Sequence, residues 1–112
     1  MQFDEFREII KKRASVDDEW YSEIEKYWKE MTELFSADLS KTIEFLNVCT
    51  ADEFSWLSEV IEDIAKKTHS KEFVAALRKT ADKFPEETQQ YNITDFIDSA
   101  ECIVDDISKK KD

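Results

Sequence analysis

The side chains that could do chemistry in this chain are mostly carboxylates, and two short stretches concentrate them. Asp52, Glu59, Glu62 and Asp63 lie in "CTADEFSWLSEVIEDIAKK", and Asp17, Asp18 and Glu19 lie in "SVDDEW". Carboxylates at such density can hold a hard cation or face a cationic partner. The cation chemistry lacks its usual companions. An EF-hand loop needs a central glycine and the chain has none, and a di-iron bundle needs Glu-X-X-His pairs, also absent. His69 is the one histidine, and neither Cys49 nor Cys102 belongs to a Cys-X-X-Cys pair, so a zinc site lacks ligands. A nucleophile–His–acid triad would have to use His69 with Cys49, Cys102 or a serine, and no motif around them supports it. Without glycine there is no P-loop, dinucleotide fingerprint or nucleophile elbow. The expectation is a protein that is not an enzyme and takes no cofactor or metal.

The aromatic residues add to the acids. On a helical wheel Leu57 and Ile61 centre an apolar stripe, and Trp56 falls about 100° from Leu57, on the flank beside Val60. A flanking tryptophan next to acids is the composition of an interface core with a charged rim. The competing reading packs Trp56 beneath the second or sixth helix. Trp20, Tyr21, Tyr27 and Trp28 cannot all point one way, so at least one borders the surface near Asp17, Asp18 and Glu19. Candidate partner-binding residues are therefore Asp52, Trp56, Glu59, Glu62 and Asp63, then Asp17, Asp18 and Glu19. The four acids of the longer stretch lie off the core stripe, so removing their charge is expected to spare the fold.

The elements that must position these residues follow from composition and period. The chain has 112 residues, 41% of them hydrophobic, with eight phenylalanines, which suffices for the core of one domain, residues 1–112. Its 27 acids against 16 bases leave a net charge of −11, which repels nucleic-acid phosphates and anionic membranes and favours cationic partners. No apolar leader or spanning run is present, and both cysteines read as reduced, mostly buried core residues, so a cytoplasmic location is expected.

Six helices are expected. The first covers residues 3–14, acidic at its start and basic at its end, with Phe3, Phe6, Ile9 and Ile10 inward. The second starts at an Asp17 or Asp18 cap and runs to residue 35. The third, capped by Ser36 or Asp38, runs to residue 48. The fourth, residues 51–67, opens on a capping box of Thr50 and Glu53. The fifth starts at Ser70 and stops before Pro85. A link with a brief turn at residues 86–90 leads to the sixth, capped by Asn92 or Thr94, with Ile93, Phe96, Ile97, Ala100, Ile103, Val104 and Ile107 inward. Its outer acids include Asp98, Glu101, Asp105 and Asp106. This is an all-α class of about six helices, arranged as a compact bundle or a short α-solenoid of antiparallel pairs: first with second, third with fourth, fifth with sixth.

The segment "IEFLNVCTADEFSWLSEVIEDIAKKTHSKEFVAALRKTADKFPEE", about two fifths of the chain, resembles segments of small acidic helical proteins from bacterial toxin–immunity loci. It is most similar in character to contact-dependent growth inhibition immunity proteins. The resemblance rests on the capped helix, its Trp-edged acidic face and its Lys-rich end. It implies a cytoplasmic inhibitor that binds one cognate toxin, often a basic nuclease, and covers its active site. A helical adaptor that holds a peptide between helix pairs is the alternative.

Overall fold

In the computed structural model the described residues are 3–17 and 19–110, the last five as backbone only. Asp18 and the side chains of Asp106 and Ile107 lie outside the described residues. The described chain is helical throughout, without strands. Helix α1 (Asp4–Ala14) is followed by α2 (Tyr21–Ala37), α3 (Leu39–Val48) and α4 (Ala51–Leu57). A 3₁₀ turn (Ser58–Val60) leads directly into α5 (Ile61–Thr68); then come α6 (Lys71–Lys83), α7 (Pro85–Gln90) and α8 (Ile93–Lys110).

Local chemistry accounts for most boundaries. Thr50 and Glu53 form the reciprocal box: the Glu53 amide donates to Thr50 Oγ1 at 3.1 Å, and the Thr50 amide to Glu53 Oε1 at 2.9 Å. Asp38 caps α3 through the Lys41 amide, and Ser70 caps α6 through the Phe73 amide. In a chain without glycine, left-handed backbone must fall on other residues, and His69 (φ 50°) and Asn92 (φ 54°) take it. His69 ends α5, its amide donating to the Ala65 carbonyl; Asn92 turns the chain from α7 into α8.

Other boundaries differ from expectation. No side chain caps α2; Trp20 precedes it, while Asp17 closes a local turn, accepting from the Glu19 amide at 3.3 Å. The polar link after Pro85 is a full short helix, with the proline in its first turn where the missing N–H costs nothing. The fourth helix is not continuous. Leu57, Ser58, Val60 and Ile61 are all buried and Glu59 half-buried, so five successive positions have neighbours. At 100° per residue a regular helix cannot turn five successive side chains toward one core. Here neighbours lie on several sides, α1 against α4, α2 against the 3₁₀ turn and α5, and α8 against α5.

Those contacts also decide the arrangement. α1 packs on α2 and α6 on α8, as consecutive pairs would, but α3 packs chiefly on α6 instead of pairing with α4. The most extensive contact joins α5 to α8, across two intervening helices. A solenoid restricts contacts to adjacent repeats; this is a bundle. Its radius of gyration is 13.6 Å, against about 13 Å for a compact domain of this length.

At one end of the core Phe6, Phe35 and Phe45 join α1, α2 and α3, with ring centroids 4.5 to 6.1 Å apart. Where α5 packs on α8, Ile61, Ile64 and Ala65 of α5 and Ile97, Ala100 and Val104 of α8 belong to the same buried cluster. Buried Thr42 donates to the Phe35 carbonyl at 2.7 Å, and buried Thr80 to the Ala76 carbonyl at 2.8 Å. Cys49 is buried as expected, and burial pushes its thiol up to about 11. Cys102 is exposed on α8, contrary to the expectation of a core position.

Candidate functional site

The capping box fixes where α4 begins and therefore where its acids fall. Asp52 sits exposed in the first turn, where the helix dipole favours it. One turn on, Trp56 is half-buried at the edge of the core. The 3₁₀ turn then redirects Glu59 inward.

Glu59 meets the one buried positive charge among the described residues. Arg13, one of the bases at the end of α1, is only 3% exposed. It holds Glu59 with two nitrogens, Nε to Oε1 at 2.7 Å and Nη2 to Oε2 at 2.9 Å. Trp28 Nε1 donates to the same Oε1 at 3.0 Å. The guanidinium carbon lies 4.9 Å from the Trp56 ring centroid and 6.0 Å from that of Trp28. One ion pair thus ties α1, α2 and the 3₁₀ turn, flanked by two indole faces that favour a cation. The expectation that Glu59 can lose its charge at no cost is corrected: its carboxylate is the counter-charge of a buried guanidinium and accepts from two of its three nitrogens, while Nη1 is buried without a hydrogen-bond partner.

The other two arginines are also taken up within the chain. Arg7 Nε donates to Glu53 Oε2 at 3.0 Å, on the carboxylate that completes the capping box. Arg78 bridges Asp98 at 2.9 Å and Glu101 at 3.0 Å on the outer face of α8. Asp52, Glu62 and Asp63 make no ion pair among the described residues.

The expected site residues divide into three places. Asp52, Trp56 and Glu59 line a cleft of about 240 Å³ together with Tyr91 and Phe96. Tyr91 follows α7 directly and is 48% exposed; Phe96 lies in the first turn of α8. Asp63 lines a different, wider groove between α2 and α5, with Trp28, Lys29, Lys66 and Lys67; Glu62 lines neither and is half-buried. Asp17 and Glu19 are exposed in the α1–α2 link, next to Trp20 and Tyr21, which are 63% and 60% exposed. Asp18 lies outside the described residues. Sequence reasoning missed Tyr91 and read Phe96 as an inward residue of the sixth helix, not as part of a cleft. The available signal was a lone tyrosine in the polar run "TQQYN", where nothing calls for a core aromatic.

Among the described residues no group of three or more His, Cys, Asp or Glu side chains is placed to hold a metal ion. No described helix is long and apolar enough to cross a membrane. The chain matches no protein-family model, no curated protein and no solved structure.

Proposed function

We propose that this protein is a non-catalytic inhibitor that captures one cationic protein, as an immunity protein of a contact-dependent growth inhibition system captures its cognate toxin. The observation that carries the reading is how its charge is distributed. All three arginines neutralise acids of their own chain, while Asp52, Glu62, Asp63, Asp17 and Glu19 remain on the surface of a molecule with net charge −11. A nuclease cleft must hold phosphates and is therefore cationic, and carboxylates can stand in for those phosphates. Complementary charge speeds capture, and aromatics such as half-buried Trp56 and exposed Tyr91 slow release. In this reading the protein works in the cytoplasm, where such a toxin acts, and binds neither nucleic acid nor membrane directly.

The reading predicts a basic protein encoded beside this one, and the test is association kinetics with that protein at low and high ionic strength. The variant is Asp52→Lys/Glu62→Lys/Asp63→Lys, which leaves Glu59 in place, with its folding checked by circular dichroism. Charge steering predicts a fall in association rate of about tenfold or more at low salt. Unchanged rates and retained protection of cells would overturn the reading.

The α2–α5 groove favours a second reading, a helical adaptor for a peptide. Its volume is about 530 Å³, and it mixes Glu25, Glu33 and Asp63 with Lys29, Lys66 and Lys67 around Trp28. A partner held there would bind with little dependence on salt, since both signs of charge are present.

A further inference from the structure

The α4 cleft supports a narrower statement, which rests on the proposed capture of a cationic protein. Three of the residues that line the cleft are aromatic, Trp56, Tyr91 and Phe96. Two are acids, Asp52 and Glu59, and none is a lysine or arginine. The Glu59 charge is already balanced by Arg13, so Asp52 gives the cleft its net charge. At about 240 Å³ it falls short of the roughly 300–1,000 Å³ of small-molecule sites. That size suits a single long side chain.

We infer that the cleft receives one arginine side chain of the partner, its guanidinium plane against the aromatic walls and its charge opposite Asp52. Aromatic faces attract cations, and the planar, weakly hydrated guanidinium stacks on rings better than an ammonium does. The molecule already contains this combination. Beside the cleft, Arg13 lies over Trp56 at 4.9 Å and pairs with a carboxylate. The cleft offers an incoming arginine the same elements, indole and carboxylate, on the exposed side. Tyr91, left 48% exposed at the mouth of the cleft, has the contact area to close over such a side chain.

The test is a titration of the isotope-labelled protein at low salt, read from the Trp56 indole and the backbone amides of residues 52, 91 and 96. The probe is N-acetyl-arginine N-methylamide; the citrulline and lysine analogues are the neutral and ammonium controls. The expected result is saturable shifts confined to the cleft, weaker binding of lysine and no saturation with citrulline. Asp52→Asn should weaken the arginine probe about fivefold, and Tyr91→Ala should do so by about threefold to fivefold. Both positions are exposed, so the fold is expected to tolerate both changes. Diffuse shifts over the acidic surface, equal binding of citrulline, tighter binding of lysine, or indifference to both substitutions would overturn the inference. That failure is separable from failure of the capture itself. If Glu62→Lys/Asp63→Lys still slows association with the basic partner, the capture stands and only the cleft's role falls. If the isolated probe fills the cleft while the whole protein ignores every charge reversal, the capture falls instead.

Discussion

Two arginines of this protein each hold carboxylates across helices, and they stand in opposite surroundings. The Arg13 side chain is 4% exposed, and its Glu59 partner 26%. The Arg78 side chain is 39% exposed, with Asp98 and Glu101 more than half exposed. The hydrogen-bond lengths are nearly the same, so distance alone does not distinguish the two. Burial does. Water competes for every member of the Arg78 pair and screens its charges. Arg13 has exchanged water for Glu59 and two indole rings, so loss of its partner leaves a guanidinium with nowhere to go. A list of ion pairs would treat these as equals, whereas the energetics make one a structural tie and the other a surface decoration.

The sharpest way to break this contrast is Arg13→Met. It leaves the half-buried Glu59 carboxylate without its counter-charge and should lower stability by about 3 kcal/mol in urea melts. Arg13→Met/Glu59→Leu should recover most of that loss, since an apolar pair of similar volume carries no desolvation cost. If the single change costs under about 1 kcal/mol, the pair behaves as a surface pair and the distinction fails. Trp28→Phe keeps an aromatic ring in α2 but removes the third donor to Glu59. A loss of about 1.5–2 kcal/mol is expected, in the range for a hydrogen bond to a charged group. A smaller loss would mean that Arg13 alone satisfies the carboxylate.

Thr50→Ala probes a case between the extremes, because Glu53 serves both the capping box and Arg7. The expected loss is about 1 kcal/mol. An unchanged melting midpoint would show that the Arg7–Glu53 tie holds the start of α4 without the hydroxyl. The smallest effect belongs to Arg78→Met, at most about 0.5 kcal/mol at low salt. It should vanish when the melt is repeated at high salt, whereas the Arg13 effect should persist. A salt-independent loss at Arg78 would place that pair with Arg13.

Much of this molecule is local physics and was legible before any coordinates. The absence of glycine, the period of the apolar residues, the reciprocal Thr50–Glu53 box, the Ser70 cap, the choice of Ser36 or Asp38 as the cap of α3 and the proline stop at residue 85 each concern residues a few positions apart. Such features survive in any fold that keeps the helices. The acidic balance and the exposure of at least one of Trp20, Tyr21, Tyr27 and Trp28 followed in the same way, from composition and from the limited width of one helical stripe; that Trp20 and Tyr21 are the exposed pair is decided by the fold. The tertiary structure decided the rest. That α3 packs on α6 and α5 on α8 depends on which stripes fit together across the bundle, and periodicity carries no information about partners. The break at Ser58–Val60 arises because neighbours surround the segment, a circumstance invisible along the chain. Arg13 and Glu59 are 46 residues apart and read as a basic helix end and an acid on an outward face. Only the fold brings them together beneath Trp56. It also brings Tyr91 and Phe96 to Asp52 and makes a cleft from residues that no motif connects.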